Sequence, residues 1–179
     1  MRAPAPDAWR LPPVATLLAA VLLIACAEVG GASMARWKLE LSRWARSAIL
    51  ARPAIHGLVG VRDVDEAVID ESLVKFDAAL RLFHLHAQGM GLVIIATTMT
   101  AATLARADAT RRALTALLTV GGAGYPVGYL LWGVLIPHCG IERGKALAEW
   151  IVWTPFGGAT IAAMWWLTAL VGLRLVRRS

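Results

Sequence analysis

The sequence predicts an all-α fold: an integral membrane four-helix bundle with an amphipathic, projecting helical segment between spans one and two. Three observations carry this reading. Apolar residues make up 58% of the 179-residue chain and mean hydropathy is +0.62, more than one soluble core can bury. They gather in four runs, at 13–32, 85–104, 113–136 and 151–176, each close to the roughly 20 residues that a hydrocarbon core of about 30 Å requires. None shows the alternation of about ten residues that marks a membrane barrel, so the spans are helices. Residues 1–179 read as one membrane domain, with an extramembrane helical loop at 33–83.

The first run follows Pro4, Pro6, Pro12 and Pro13, which keep the start of the chain extended; a helix begins at Pro13, where a missing N–H costs nothing. "LIAC" ending at Cys26 resembles a bacterial lipoprotein signal, which would be removed before an acylated cysteine. The apolar run continues through "AEVGGASMA", however, and favours a retained span that ends in "GGAS". Next, Trp37, Leu41, Trp44 and Ala48 recur at helical spacing among Arg36, Lys38, Arg43 and Arg46. Such a helix either lies flat on a membrane surface or packs on the rest of the protein. "RPAIHGLVG" breaks it. Asp63 and Glu66 then read as a capping box, opening a helix whose apolar side carries Val64, Val68, Leu73, Phe76, Leu80 and Phe83. No breaker stands between it and span two before Gly89, so the two are expected to form one long helix leaving the membrane. Span three holds Gly124 and Gly128, a close-packing pair around a kink at Pro126. Span four holds Pro155 and the interfacial Trp150 and Trp153.

The net charge of +6 does not indicate a nucleic-acid partner, because the basic residues flank apolar runs as interfacial anchors do. Dense arginines at 106, 111 and 112, and at 174, 177 and 178, place both termini in the cytoplasm, with a bacterial inner membrane as the expected location. Whichever face is inside, four spans put loops one and three on the same side. That side then collects all four histidines: His56, His84, His86 and His138, with Cys139, Glu28 and Cys26 nearby. Cys26 and Cys139 lack metal-type spacing, and a disulfide between them is not expected.

Two residues apart on a helix, His84 and His86 point about 200° away from one another, so they do not share one ion. Helical spacing pairs His84 with Gln88 and His86 with Met90. A haem held by one of the span-two histidines and His138 fits better, with Gly89, Gly91 and the span-three glycines leaving a flat wall for the ring. A metal such as copper would draw on Cys139, Met90, Glu28 and His56. The same histidines would also serve as hydrogen-bonding devices at a helix end. No nucleophile elbow, P-loop or dinucleotide fingerprint occurs. The expected function is a small multi-pass protein with a redox or accessory role, binding haem or a transition metal. The alternatives are an assembly subunit, docking a membrane partner through the projecting helix or the Gly124/Gly128 face, and a small-solute or ion carrier using Glu28. The carrier reading lacks internal repeats.

Overall fold

Pro13 donates no hydrogen bond but accepts two, from the amides of Thr16 and Leu17, and the first helix grows from it. The computed structural model describes residues 9–176, and all their regular structure is helical. Pro4, Pro6, Arg177 and Arg178 lie outside the described residues. In chain order the elements are α1 (Val14–Arg36), α2 (Lys38–Leu50), α3 (Pro53–His56), α4 (Arg62–Leu104), α5 (Asp108–Gly124), α6 (Val127–Cys139) and α7 (Ile141–Ala148). A π-helical stretch (Glu149–Gly157) leads into α8 (Gly158–Val176). Four helical rods are long and apolar enough to cross a membrane: Val14–Arg36, Arg62–Leu104, Asp108–Cys139 and Ile141–Val176.

The rods run up and down. Arg10 at the foot of α1 meets Thr103 near the end of α4, while Ala27 meets His84, so these two are antiparallel. Gly122 of α5 faces Ile94, and Gly133 of α6 faces Ala79, which sets α5 and α6 antiparallel to α4 as well. Thr160 and Phe156 pack on Gly121 and Gly124, closing the bundle. Its interior is built largely from small residues, with Ala20, Ala27, Ala87, Ala101 and Ala163 all fully buried. Small side chains let backbones approach, which is how helices associate without a large hydrophobic gradient between them.

Several sequence expectations change at their boundaries. "GGAS" does not end α1, which continues to Arg36. Gly30 and Gly31 instead make room for Phe83 and His84. The capping box does not form, because Glu66 takes the Arg46 guanidinium on both carboxylate oxygens at 2.6 Å. Asp65 secures this helix start by accepting from the Val59 and Gly60 amides at 2.8 and 2.9 Å. Gly60 has φ +82°, a turn that favours glycine. The long helix is real: α4 runs unbroken for 43 residues, about 65 Å, through Gly89.

The amphipathic α2 packs on the protein. Its buried face carries Ala45 and Ile49, flanked by Leu41, and Trp44 leans on Phe76 at a ring separation of 5.9 Å. That covers the Phe76 side of the projecting half of α4. Pro126 divides span three into α5 and α6, and Gly140 (φ +84°) turns α6 directly into α7. The helix that carries span four begins at Ile141, ahead of the apolar run at 151–176, and Pro155 lies inside the π-helical stretch.

Candidate functional site: a histidine and aromatic layer

His84 and His86 do face opposite ways, and each meets a different rod. His84 turns to α1, where its Nδ1 donates to the Ala27 carbonyl at 2.7 Å. The ring lies against Gly31, where an added Cβ would come within 2.8 Å of its Cε1. One turn on, the Gln88 amide donates to a Glu28 carboxylate oxygen at 2.5 Å. His84, Gln88 and Glu28 therefore form a polar seam between α1 and α4. Cys26 sits outside this seam, exposed, and both cysteines are free thiols.

His86 turns to α6. Its Nδ1 lies 2.9 Å from the Leu82 carbonyl of its own helix. A carbonyl only accepts, so the ring proton sits on Nδ1 and a neutral ring keeps a bare lone pair on Nε2. The ring stacks on Tyr129 at 4.5 Å with 28° between planes, and meets the edge of Tyr125 at 5.7 Å. The two tyrosine hydroxyls lie 3.0 Å apart. Tyr129 then packs on Trp153 at 4.9 Å, and Trp153 on Trp132 at 6.2 Å. Outside this ladder opens a cleft of about 630 Å³, walled by Tyr125, Tyr129, Trp132 and Trp153, with Lys145 and Glu149 at its rim.

The backbone makes this layer possible. Trp153 lies in the π-helical stretch, a form of helix that recurs at functional sites. Its indole edge fits over Gly128, and Phe156 fits over Gly124. The indole N–H, buried there, has no hydrogen-bond partner among the described residues. The glycine pair of span three is thus filled from within the chain. Gly91 receives Ile24 and the Ala20 carbonyl, and Gly122 receives Ile94 and Met90. Of the glycines expected to wall a porphyrin inside the bundle, Gly89 has open space above it and the others hold neighbouring helices.

The remaining candidates lie at the loop-one end. His56 donates from Nε2 to the Pro137 carbonyl at 3.2 Å, His138 meets Trp44 edge-on at 5.7 Å, and the Cys139 thiol bonds the Leu135 carbonyl at 3.2 Å. Loop one therefore does sit on the loop-three end of the bundle. His56 and Cys139 share a groove of about 480 Å³ with Glu71, Glu142 and Arg143. His138 is separated from Tyr129, and so from His86, by about 13 Å of helix rise. A metal ion needs both nitrogens within about 2.1 Å of itself, so this pair does not converge on one centre. Among the described residues no three His, Cys, Asp or Glu side chains gather to hold a metal ion. His86 and Met90 share the face of α4 that looks toward α5 and α6.

Sequence reasoning missed Tyr125, Tyr129, Trp132 and Trp153. The available signal was complementary spacing: Gly124 and Gly128, four apart, against Trp153 and Phe156, three apart. No known protein family, curated protein or solved structure matches the chain.

Proposed function

We propose that this chain is a four-span integral membrane protein with a redox or accessory role, holding a planar or metal-bearing group, haem foremost, at the His86 layer. The observation that carries the reading is the state of His86. Its Nδ1 is committed to a backbone carbonyl, which fixes the ring and leaves Nε2 without a partner among the described residues; ligating histidines are commonly held in this way. The stacked Tyr129 continues that ring into the wall of an open aromatic cleft, which suits a flat partner. Since His138 stands about 13 Å along the bundle, His86 would be the sole histidine ligand, with Met90 on the same helix face as the softer donor.

Placement in a bilayer gives the layer its setting. With Arg10, Arg111, Arg112 and Arg174 at one edge, about 30 Å of hydrocarbon reaches to the neighbourhood of Leu85, Trp132 and Trp153. The His86 layer then lies just inside the far interface, and α2, α3, α7 and the first half of α4 form a cap outside it. The arginine-rich edge would be cytoplasmic by the positive-inside rule.

The test is an absorption spectrum of the detergent-purified chain, oxidised and then dithionite-reduced, with metal analysis on the same sample. A Soret band that shifts on reduction, and is lost in His86→Ala but kept in His138→Ala, is the expected result. A metal without a Soret band, lost in the same variant, would make the group a metal ion. A colourless, metal-free protein purified under conditions that retain haem in control proteins would sink the reading and leave His86 as a packing residue.

A further inference from the structure

At the other end of the bundle α1, α4 and α5 do not close on one another, leaving a cleft of about 570 Å³ between them. That is within the range of small-molecule sites. Its walls are apolar, from Leu11, Pro12, Val14 and Val120, and Arg111 and Arg112 stand at its margin. Arg111 is bound to Asp108 at 2.5 Å, whereas Arg112 is exposed and has no acidic partner among the described residues. Arg10, Arg106 and Arg174 belong to the same end, and Asp108 is the one described carboxylate there. The acidic residues Asp63, Asp65, Glu66, Asp70 and Glu71 all lie toward the far end of α4.

Thr115 supplies a second, independent sign. Most other helix threonines here return their hydroxyl to the carbonyl one turn earlier: Thr98 to Ile94, Thr103 to Met99, Thr160 to Phe156 and Thr168 to Met164. Thr115 does not. It lines the cleft, is 7% exposed, and its hydroxyl has no hydrogen-bond partner among the described residues. Leaving a buried hydroxyl unpaired is unfavourable, so a partner from outside the chain is the natural acceptor. One turn of α5, about 5 Å, separates Thr115 from the Arg111–Arg112 level.

We infer that this cleft binds one anionic phospholipid. Its phosphate lies at Arg112, an ester oxygen one step deeper accepts from the Thr115 hydroxyl, and an acyl chain fills the apolar trough. The spacing of charge, hydroxyl and apolar wall follows the order of polarity along such a lipid, and a small soluble anion would leave the trough empty. The inference rests on the bilayer placement above but not on the His86 group.

The experiment uses the full chain in mild detergent, offered phosphatidylglycerol or phosphatidylcholine with the same acyl chains and read by native mass spectrometry. One phosphatidylglycerol is expected to stay bound, about tenfold more tightly than phosphatidylcholine, whose choline cation cancels the charge of the shared phosphate and is repelled by the arginines at this end. Arg112→Gln should erase that preference. Ala116→Trp, which fills the apolar wall and leaves both arginines, should reduce retention of both lipids at unchanged helical content. Equal retention of the two lipids, or an Arg112→Gln variant that keeps the preference, would overturn the site. So would displacement of the lipid by inorganic phosphate, or binding seen only after residues 2–8 are deleted, which would make the chain's own start the occupant. A chain that washes off membranes in alkaline carbonate overturns the bilayer placement and this site together. A chain that stays and shows no lipid preference overturns the site alone.

Discussion

Replacing Gly121 by alanine should loosen the contact between α5 and α8, and the size of the effect follows from two opposed terms. A Cβ at Gly121 would stand 2.6 Å from the Thr160 hydroxyl and 2.8 Å from the Phe156 carbonyl oxygen. Close carbon–oxygen contacts normally fall at about 3.3–3.6 Å, so the methyl intrudes by about 0.5 Å on a backbone atom that has no rotamer to escape into. Overpacking of this kind costs about 1–3 kcal/mol. Alanine returns up to about 1 kcal/mol of helix propensity, so the net loss runs up to about 2 kcal/mol. For a chain of this size that lowers Tm by up to about 8 °C. Gly89→Ala is the matched control, because nothing lies within 4 Å of the position where its Cβ would stand. It keeps the propensity gain without the clash, and its Tm should hold or rise by a few degrees. Thermal unfolding of the three proteins in one detergent, followed by circular dichroism, measures the difference. Equal Tm values for Gly121→Ala and Gly89→Ala would refute the claim that glycine at 121 is required by contact with α8 and the π-helical stretch.

His84→Phe keeps a ring beside Gly31 but deletes the donor to the Ala27 carbonyl; a loss of about 1 kcal/mol is expected. That is a fall in Tm of about 2–4 °C, read in the same melts. The Arg46 guanidinium, by hydrogen bonding first and charge second, holds the Glu66 carboxyl below its usual range. A group whose folded value is depressed stabilises above its unfolded value, near pH 4.3, and loses that contribution as pH falls through the folded value. Melting curves of the native chain and Glu66→Gln should therefore differ at neutral pH and converge as pH falls through the folded value, and parallel curves throughout would count against the pair. Arg46→Gln should show the same convergence, because it removes the same hydrogen bond from the other side. Tyr129→Phe removes the hydroxyl contact to Tyr125 but keeps the stack on His86; helical content should be unchanged and any spectrum carried by His86 retained, whereas its loss would move the ligand role to the tyrosine.

The parts of this fold that could be read in the sequence are those decided by periodicity and by absence. Four runs of apolar residues became four rods, and the lack of a breaker before Gly89 became the unbroken α4. The opposite directions of His84 and His86 followed from helix geometry alone and hold in the bundle. The misreadings came from residues whose role depends on a distant neighbour. "GGAS" looks like a terminator locally, but Gly30 and Gly31 are there for Phe83 and His84, more than fifty positions away. Glu66 looks like the far half of a capping box until Arg46 of α2 takes it. The buried face of α2 lies a fraction of a turn from the Trp37–Leu41–Trp44–Ala48 stripe, at Ala45 and Ile49, which are buried completely while both tryptophans stay exposed. The aromatic ladder was least visible of all, because it depends on α6 and the π-helical stretch being placed side by side.

That stretch also sets the angular phase of everything after it. An α-helix turns about 100° per residue, and a π turn spreads the same rotation over more residues. Between Glu149 and Gly157 the chain therefore accumulates an offset, as though one position had been slipped into an otherwise regular count. Trp153 and Phe156 dock on Gly128 and Gly124 in one phase, and Thr160, Ala163 and Leu167 meet α5 in the phase that the offset produces. Removing a single residue from this segment would leave hydropathy and length almost untouched and would let the turn close as an ordinary α turn, with Ala163 and Leu167 still facing α5. The same deletion just before Ala163, in regular helix with no such slack, would rotate the rest of α8 by about 100°, carrying Ala163 and Leu167 out of the core and bringing the exposed Trp165 or Trp166 round toward it. Tolerance to a change in residue count is therefore concentrated in the π-helical stretch, next to the rings it positions.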